Sequence, residues 1–370
     1  MEVRAVAPNR IDLAGGTLDL YPLYLFEDGG LTVNVAIDVN STVTIRTRED
    51  REIHIYSLDT HTERHAADLA HLEVGGELDL VARVIRFYAP PMGIDVFTEN
   101  QAPKGSGLGA SSALLIALSH ALNKLRVDRR SDEDIINIGA NLEAQTIRVP
   151  TGKQDYYAAT YGGVNAIWFD VEENRVERLI QSEAALEALS ARMILSFTGA
   201  PRFSAITNWG MMRAYIENRG QTVERMKRIK QTAFAMRECI SAGRFVDLAE
   251  LLAEEWQNRR ELAEGVTTPD VERLMEAAAR AGARASKLCG AGGGGCMVTM
   301  LSTGGSGSSA GSGDGTAGGI GIPDELKAVR ERVIEALENA GARVIPFSIS
   351  RVGVQVEVRT ESRAEAVPVG

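Results

Sequence analysis

The chain has 370 residues, 44% of them hydrophobic and 24% charged, which suits a globular protein with room for two domains and excludes a fibrous or broadly disordered one. Forty basic residues against fifty acidic ones leave a formal charge of −10, which disfavours a surface built to grip nucleic acid or an anionic membrane but leaves room for a local small-anion site. Glycine stands out: 37 residues, against roughly 7% in average proteins. Cys239, Cys289 and Cys296 form no CxxC pair, so neither a disulfide framework nor a structural zinc site is expected, and a reducing cytoplasm is the expected setting. No signal-peptide pattern opens the chain, and the longest apolar run, Ala113 to Leu118, falls far short of the roughly 20 residues that span a bilayer.

In chain order, alternating β-branched residues predict strands over Leu31–Ile37, Ser41–Arg46 and Ile53–Tyr56 in a mostly antiparallel sheet. Helical spacing follows from Ser111 to Leu125 and from Ser131 to about Ile147, with Ser131 as N-cap, and a short helix is expected over Tyr156–Tyr161. The second half opens with a strand at Arg192–Phe197. Met226, Ile229, Ala233, Met236 and Ile240 then form a three-and-four stripe that predicts a core-facing helix. Further helices are expected over Phe245–Ala263, Thr268–Ala281 and Asp324–Asn339, with strands over Gly295–Leu301 and Ala342–Val358. The interleaving predicts an α+β second domain, with a flexible Gly/Ser surface loop at 302–321. Four histidines, His54, His61, His65 and His71, crowd one segment; His61 and His65 have a metal helix's spacing, but Thr62 stands where a zincin needs glutamate, so a polar connection is expected.

The strongest local signal is Pro103-Lys-Gly-Ser-Gly-Leu-Gly-Ala-Ser-Ser-Ala113, leading into an apolar helix. Such a loop can turn several N–H groups inward, and the helix N-terminus adds its unpaired N–H groups, a combination that suits phosphate. It is not a Walker A loop, which needs Gly-Lys-Ser/Thr, nor the GxGxxG fingerprint, which from Gly105 would need glycine at Ala110. Taken alone, it could equally be a glycine loop capping an ordinary helix.

Two more glycine segments accompany it: Ala7-Pro-Asn-Arg-Ile-Asp-Leu-Ala-Gly-Gly-Thr-Leu-Asp19 and Lys287-Leu-Cys-Gly-Ala-Gly-Gly-Gly-Gly-Cys296. In this order the three resemble the motifs of the GHMP kinase superfamily over nearly the whole chain. Pro150-Thr-Gly-Lys-Gln-Asp-Tyr-Tyr-Ala-Ala-Thr-Tyr-Gly-Gly163 is similar to the catalytic segment of the sugar-kinase branch, above all the D-glycero-D-manno-heptose 7-phosphate kinase group. The Gly-Gly-x-x-Asp run is similar to that group and to fucokinases, and Thr198-Gly-Ala-Pro-Arg-Phe-Ser204 has a counterpart in the heptose kinases.

The resemblance implies an ATP- and Mg²⁺-dependent kinase that phosphorylates the anomeric hydroxyl of a sugar or sugar phosphate, heptose 7-phosphate ahead of fucose or galactose. It implies a ribosomal S5 domain 2-like N-terminal domain (1–185) with a left-handed βαβ crossover and a ferredoxin-like C-terminal domain (190–360). Asp155 would orient or deprotonate the attacking hydroxyl, and Arg10 would stabilise the alkoxide. Lys104, Gly105, Ser106, Gly107, Leu108, Gly109, Ala110, Ser111 and Ser112 would hold the nucleotide phosphates, with Ser112 and Glu143 as metal ligands. Gly16, Thr17, Asp19, Lys153, Gln154, Arg202, Gly292 and Gly293 are the expected substrate residues, although Asp19 also suits an Asx turn and Arg202 a plain surface charge. Rival readings are a non-catalytic ATP- and sugar-binding sensor, which could dispense with Asp155 and Glu143, and a decarboxylating relative, which the Gly-Gly-x-x-Asp run disfavours.

Overall fold

The structure, a computed structural model, describes residues 1–200, 204–302 and 323–360; Arg202 and nearly all of the 302–321 segment lie outside them. The described elements run β1 (Glu2–Ala14), α1 (Leu23–Phe26), β2 (Gly30–Thr47), β3 (Ile53–Ser57), β4 (Thr62–Ala66), α2 (Asp79–Tyr88), β5 (Ile94–Asn100), α3 (Ala110–Lys124), α4 (Asp132–Ile147) and α5 (Gln154–Tyr161). They continue with β6 (Val164–Phe169), β7 (Arg175–Arg178), α6 (Glu183–Ser190), β8 (Met193–Phe197), α7 (Ser204–Ile216), α8 (Thr222–Ser241), α9 (Leu248–Arg259) and α10 (Pro269–Arg280). The last are β9 (Ala285–Leu288), β10 (Cys296–Met300), α11 (Asp324–Asn339), β11 (Arg343–Ile345) and β12 (Gln355–Arg359).

The first sheet has the order β12-β1-β2-β5-β3-β4, with β6 and β7 extending it from the far half of β2. Its ladders are antiparallel except for β3 with β5. The two strands expected over Leu31–Ile37 and Ser41–Arg46 are one 18-residue strand, β2. Its register against β1 jumps from Pro8↔Asn40 to Asn9↔Ile37, so Asp38 and Val39 are taken up as a bulge beside Pro8, which has no N–H to offer a ladder. The strand therefore bends where the sequence suggests a break. His54 and His65 are cross-strand partners on β3 and β4 with rings stacked at 4.4 Å, and Thr62–Ala66 is a strand, so the i, i+4 metal geometry of a helix does not form.

The second sheet has the antiparallel order β11-β8-β10-β9. With helices after β8 and between β10 and β11, this is the β-α-β-β-α-β pattern of a ferredoxin-like fold. The strand expected over Ala342–Val358 is split: β11 stays in this sheet, while β12 pairs with Glu2–Val6 of β1 in the first. The end of the segment assigned to the C-terminal domain thus covers an edge of the N-terminal sheet that would otherwise expose its ladder groups.

Capping follows the sequence closely. Ser131 and Asp134 form a reciprocal capping box at the start of α4, and the Thr268 hydroxyl accepts from Val271 N–H before Pro269 opens α10. The α8 stripe is buried throughout. Met226 and Ile229 pack in the C-terminal core, whereas Ala233, Met236 and Ile240 join a cluster that also contains Ile11, Val33 and Val35 of the first sheet and Val298 of the second. The two halves therefore share one apolar seam. Leu252 on α9, fully buried in that seam, tests it: Leu252→Ala is expected to cost about 2–5 kcal/mol. In urea, both halves should still unfold in one transition at a lower midpoint.

Candidate active site between the two sheets

A cavity of about 520 Å³ runs along this junction, lined by Arg10, Asp19, Ser112, Glu143 and Asp155 from the first half and by Arg259 and Gly290 from the second. The phosphate-type loop forms one wall. Gly105, Gly107 and Gly109 have φ of +72, +75 and +79, and this alternation turns successive N–H groups to one side as in an anion nest. Gly109 is also the N-cap of α3, whose first turn comprises Ala110, Ser111 and Ser112 and has N–H groups that the helix leaves unpaired. All the expected loop residues line the cavity except Leu108, which is fully buried in the apolar seam and anchors the loop from beneath.

The third glycine segment braces this loop. Cys296 N–H donates to the Ser106 carbonyl at 2.6 Å, and a Cβ on Gly295 would lie 2.6 Å from that same oxygen. Thr198 Oγ1 donates to the Gly295 carbonyl from the strand β8 side. Gly290 and Ala291 line the cavity, whereas Gly292 and Gly293 line a separate one on the far side of the turn, with Gly265. Gly292 and Gly293, expected as substrate residues, thus lie outside the cavity that Gly290 and Ala291 line, because the left-handed run from Gly292 to Gly295 swings the chain away.

Arg10 and Asp155 meet at 2.6 Å, Nη2 to Oδ1, and Arg10 Nη1 donates to the Gly107 carbonyl at 2.5 Å. Arg10 stands on β1 with 4% exposure, and Asp155 lies in the first turn of α5. Burial pushes the Asp155 carboxyl up to about 6; Arg10 pulls it back, and the charges of Asp19 and Glu143 add to the rise. The sequence suggested an ordinary weak carboxylate, near ~3.9. The packing makes it a stronger base that is still largely ionised near neutrality.

Glu143, on α4 and 5% exposed, gathers hydroxyls: Ser111 Oγ donates to Oε1 at 2.5 Å, and Ser112 Oγ and Thr151 Oγ1 to Oε2 at 3.2 Å, joined there by the Tyr156 hydroxyl. One carboxylate among hydroxyl oxygens, with no histidine or thiol ligand among the described contacts, suits Mg²⁺, which takes few protein ligands and only hard ones. Asp19 is buried and accepts Gln154 N–H at 3.0 Å. It fits because Gly152 opposite has no side chain: a Cβ there would come within 2.2 Å of Asp19 Oδ2. Gly16, Thr17 and Gln154 line the same end of the cavity. Lys153 does not; its Nζ donates to Asn137 Oδ1 at 2.8 Å on the flank of α4.

Sequence reading missed two groups of residues. One is a buried charge cluster, Asp12, Glu255, Arg259 and Lys287, behind the Gly15-Gly16 turn. The pairing of Glu255 and Arg259 at i, i+4 was visible, but nothing in their spacing said that they face inward. The other is the cavity's far end, lined by Ser57, Leu78, Val81, Thr98 and Asn100, which carries no motif.

Residues 79–163 match the family of GHMP kinases N terminal domains and residues 236–343 the family of GHMP kinases C terminal domains. The chain is 30% identical over 310 residues to D-glycero-alpha-D-manno-heptose 7-phosphate kinase of Campylobacter jejuni, covering 81% of this chain and 89% of that protein. It is 26% identical to the bifunctional fucokinase/GDP-fucose pyrophosphorylase of Arabidopsis thaliana, covering 79% of this chain and 29% of that protein. The crystal structure of a D-glycero-D-manno-heptose 1-phosphate kinase from Bacteroides thetaiotaomicron superposes with a TM-score of 0.73 at 25% identity, covering 97% of this chain and 99% of that one. With both domains matched and the three glycine segments assembled around one cavity, the chain belongs to the GHMP kinases.

Proposed function

We propose that this kinase transfers the γ-phosphoryl group of ATP to the anomeric hydroxyl of a sugar phosphate of the heptose 7-phosphate type. The observation that carries the reading is the Arg10–Asp155 pair set against the phosphate-type loop. A basic carboxylate there can accept the proton of an attacking hydroxyl, and a fixed guanidinium beside it can stabilise the alkoxide. Phosphoryl transfer asks little more of a protein than such positioning and charge placement.

Buried acceptors support a polyol at this end. Asp12 Oδ1 and Gln154 Oε1 have no hydrogen-bond partner among the described residues, both side chains line the cavity, and both can accept from sugar hydroxyls. Asp19 offers a third acceptor, a carboxylate whose pKa is raised by burial. The far end, with Leu78 and Val81 beside the polar Ser57, Thr98 and Asn100, suits a nucleobase, and the loop N–H groups of residues 105–112 lie between the two ends. Glu143 and Ser112 would hold Mg²⁺, which when bound to ATP neutralises phosphate charge.

The class and the substrate are tested together by an ATP-consumption screen over heptose 7-phosphate, fucose, galactose, mannose and glucuronate, with mevalonate as the outgroup. Saturable turnover of heptose 7-phosphate is expected; turnover of mevalonate alone would overturn the reading. Asp155→Asn should lower kcat by about 10²–10⁴-fold, the usual contribution of a general base, with ATP binding retained. In the wild type, kcat/KM should fall tenfold per pH unit below about 6, because Asp155 accepts a proton only when ionised and its carboxyl titrates near there. Glu143→Gln should raise the Mg²⁺ concentration needed for half-maximal rate by about tenfold or more, and isothermal titration of Mg²⁺ into the ATP complex should show the same loss.

A further inference from the structure

The turn that presents Asp19 is held in an unfavourable shape by a residue from the other domain. Thr17 has φ of +78, in the left-handed region that a β-branched residue rarely enters. Two tight hydrogen bonds run through it: Leu18 N–H to the Gly15 carbonyl at 3.1 Å and Leu20 N–H to the Thr17 carbonyl at 3.2 Å, with Asp19 between them. Such a conformation persists only where its surroundings fix it. Here the fixing group is Arg259, at the end of α9. Its Nη2 donates to the Gly16 carbonyl at 2.6 Å and its Nη1 to Thr17 Oγ1 at 3.1 Å. The Thr17 hydroxyl in turn donates to Met211 Sδ at 3.4 Å.

Arg259 can do this because its own charge is held in place. Glu255 Oε1 accepts from Arg259 Nε at 2.9 Å and Nη2 at 2.6 Å. Lys287 Nζ lies 2.9 Å from Asp12 Oδ2, donates to the Asp12 carbonyl at 2.9 Å and stands 3.9 Å from Glu255 Oε1. All four side chains are at most 1% exposed, and two acids balance two bases. A Cβ on Gly16 would lie 2.6 Å from Asp12 Oδ2 and 3.2 Å from Arg259 Nη2, so the turn rests directly on this cluster. Buried ion networks contribute little net stability compared with apolar residues of equal volume. What a planar guanidinium supplies, and an ammonium cannot, is a fixed fork of donors.

We propose that Arg259 is a positioning residue for the sugar site, holding the Gly16-Thr17 turn in its left-handed form and so setting the place of the Asp19 carboxylate. The role rests on the reading of this end of the cavity as the sugar site, and the test separates the two. Amide hydrogen exchange on the ligand-free protein needs no substrate: in Arg259→Lys, the Leu18 and Leu20 amides should exchange about tenfold faster or more, as local opening becomes easier. With the sugar that the wild type turns over in the screen above, Arg259→Lys should raise the sugar KM by about tenfold and leave the KM for ATP within about twofold.

Thr17→Gly supplies the decisive arm, because glycine adopts this φ without a clamp. Combined with Arg259→Lys it should rescue the sugar KM to within about threefold of that of Thr17→Gly alone, the reference that cancels loss of the Thr17 hydroxyl from the cavity. A purely structural role for Arg259 would shift both KM values together and show no rescue, and that result overturns the proposal, as do unchanged Leu18 and Leu20 exchange rates in Arg259→Lys. If Arg259→Lys does not fold, the neutral pair Glu255→Gln with Arg259→Gln is read by the same exchange and kinetic criteria. A wild type that turns over none of the sugars refutes the sugar reading, and the exchange arm then decides the role of Arg259 by itself.

Discussion

One guanidinium ties three elements around the cavity of this kinase together. Arg10 leaves the middle of β1, bonds the Gly107 carbonyl with one nitrogen and Asp155 with another, while its backbone N–H donates to the Leu108 carbonyl. A strand, a glycine loop and a helix are thereby fixed to one rigid planar group. Lysine could not replace it, since a single ammonium lacks the fork that reaches a carbonyl and a carboxylate at once. Two further constraints follow from the same contact. Asp155 has to be largely withdrawn from solvent to meet Arg10, which raises its basicity, and Gly109 has to lack a side chain, since a Cβ there would lie 3.0 Å from the Asp155 carboxyl group.

The charge of the site is equally constrained. Asp12, Asp19, Glu143 and Asp155 line one cavity, in a chain that already carries ten excess acids. The cations nearest them are committed: Arg10 to Asp155, Arg259 to Glu255 and Lys287 to Asp12. On the proposed reading, neutralisation of the nucleotide falls to loop N–H groups, the exposed Lys104 of the loop and a divalent ion. This is compatible with an acidic surface because short-range donors, and not the net field, do the holding.

Legibility in the sequence depended on whether a residue's role is set by its neighbours in the chain. The phosphate-type loop, the capping box at Ser131 and the α8 stripe are local patterns, and the structure displays them where the pattern lies. Arg10, Glu143 and Asp155 converge from three elements, and only the resemblance connected them; the coordinates bring Arg10 and Asp155 into contact and set Glu143 under Ser111 and Ser112. Lys287 and Asp12 are 275 positions apart, so no window along the chain relates them. Likewise, the bulge in β2 is dictated by Pro8 on the neighbouring strand, and the far end of the cavity by Leu78 and Val81 at the start of α2 coming opposite Ser57, Thr98 and Asn100 of β3 and β5. Lys153, two residues before Asp155, is the N-cap of α5, and nearness along the chain does not set direction there: its side chain leaves toward Asn137 on α4 while Gln154 and Asp155 line the cavity.

The pairing of β12 with β1 bears on how the protein comes off the ribosome. β1 carries Arg10, yet its outer edge is covered only when residues 355–359 arrive, so Glu2 finds Arg359 after both halves in between have been made. Until then the N-terminal sheet presents an open edge while the C-terminal sheet has already received its last strand, Arg343–Ile345. Vectorial synthesis therefore completes the second domain before it finishes the first. The strand that carries Arg10 thus keeps an exposed edge until late, and a chain that stops short of residue 355 leaves that edge open to pairing with a neighbouring molecule.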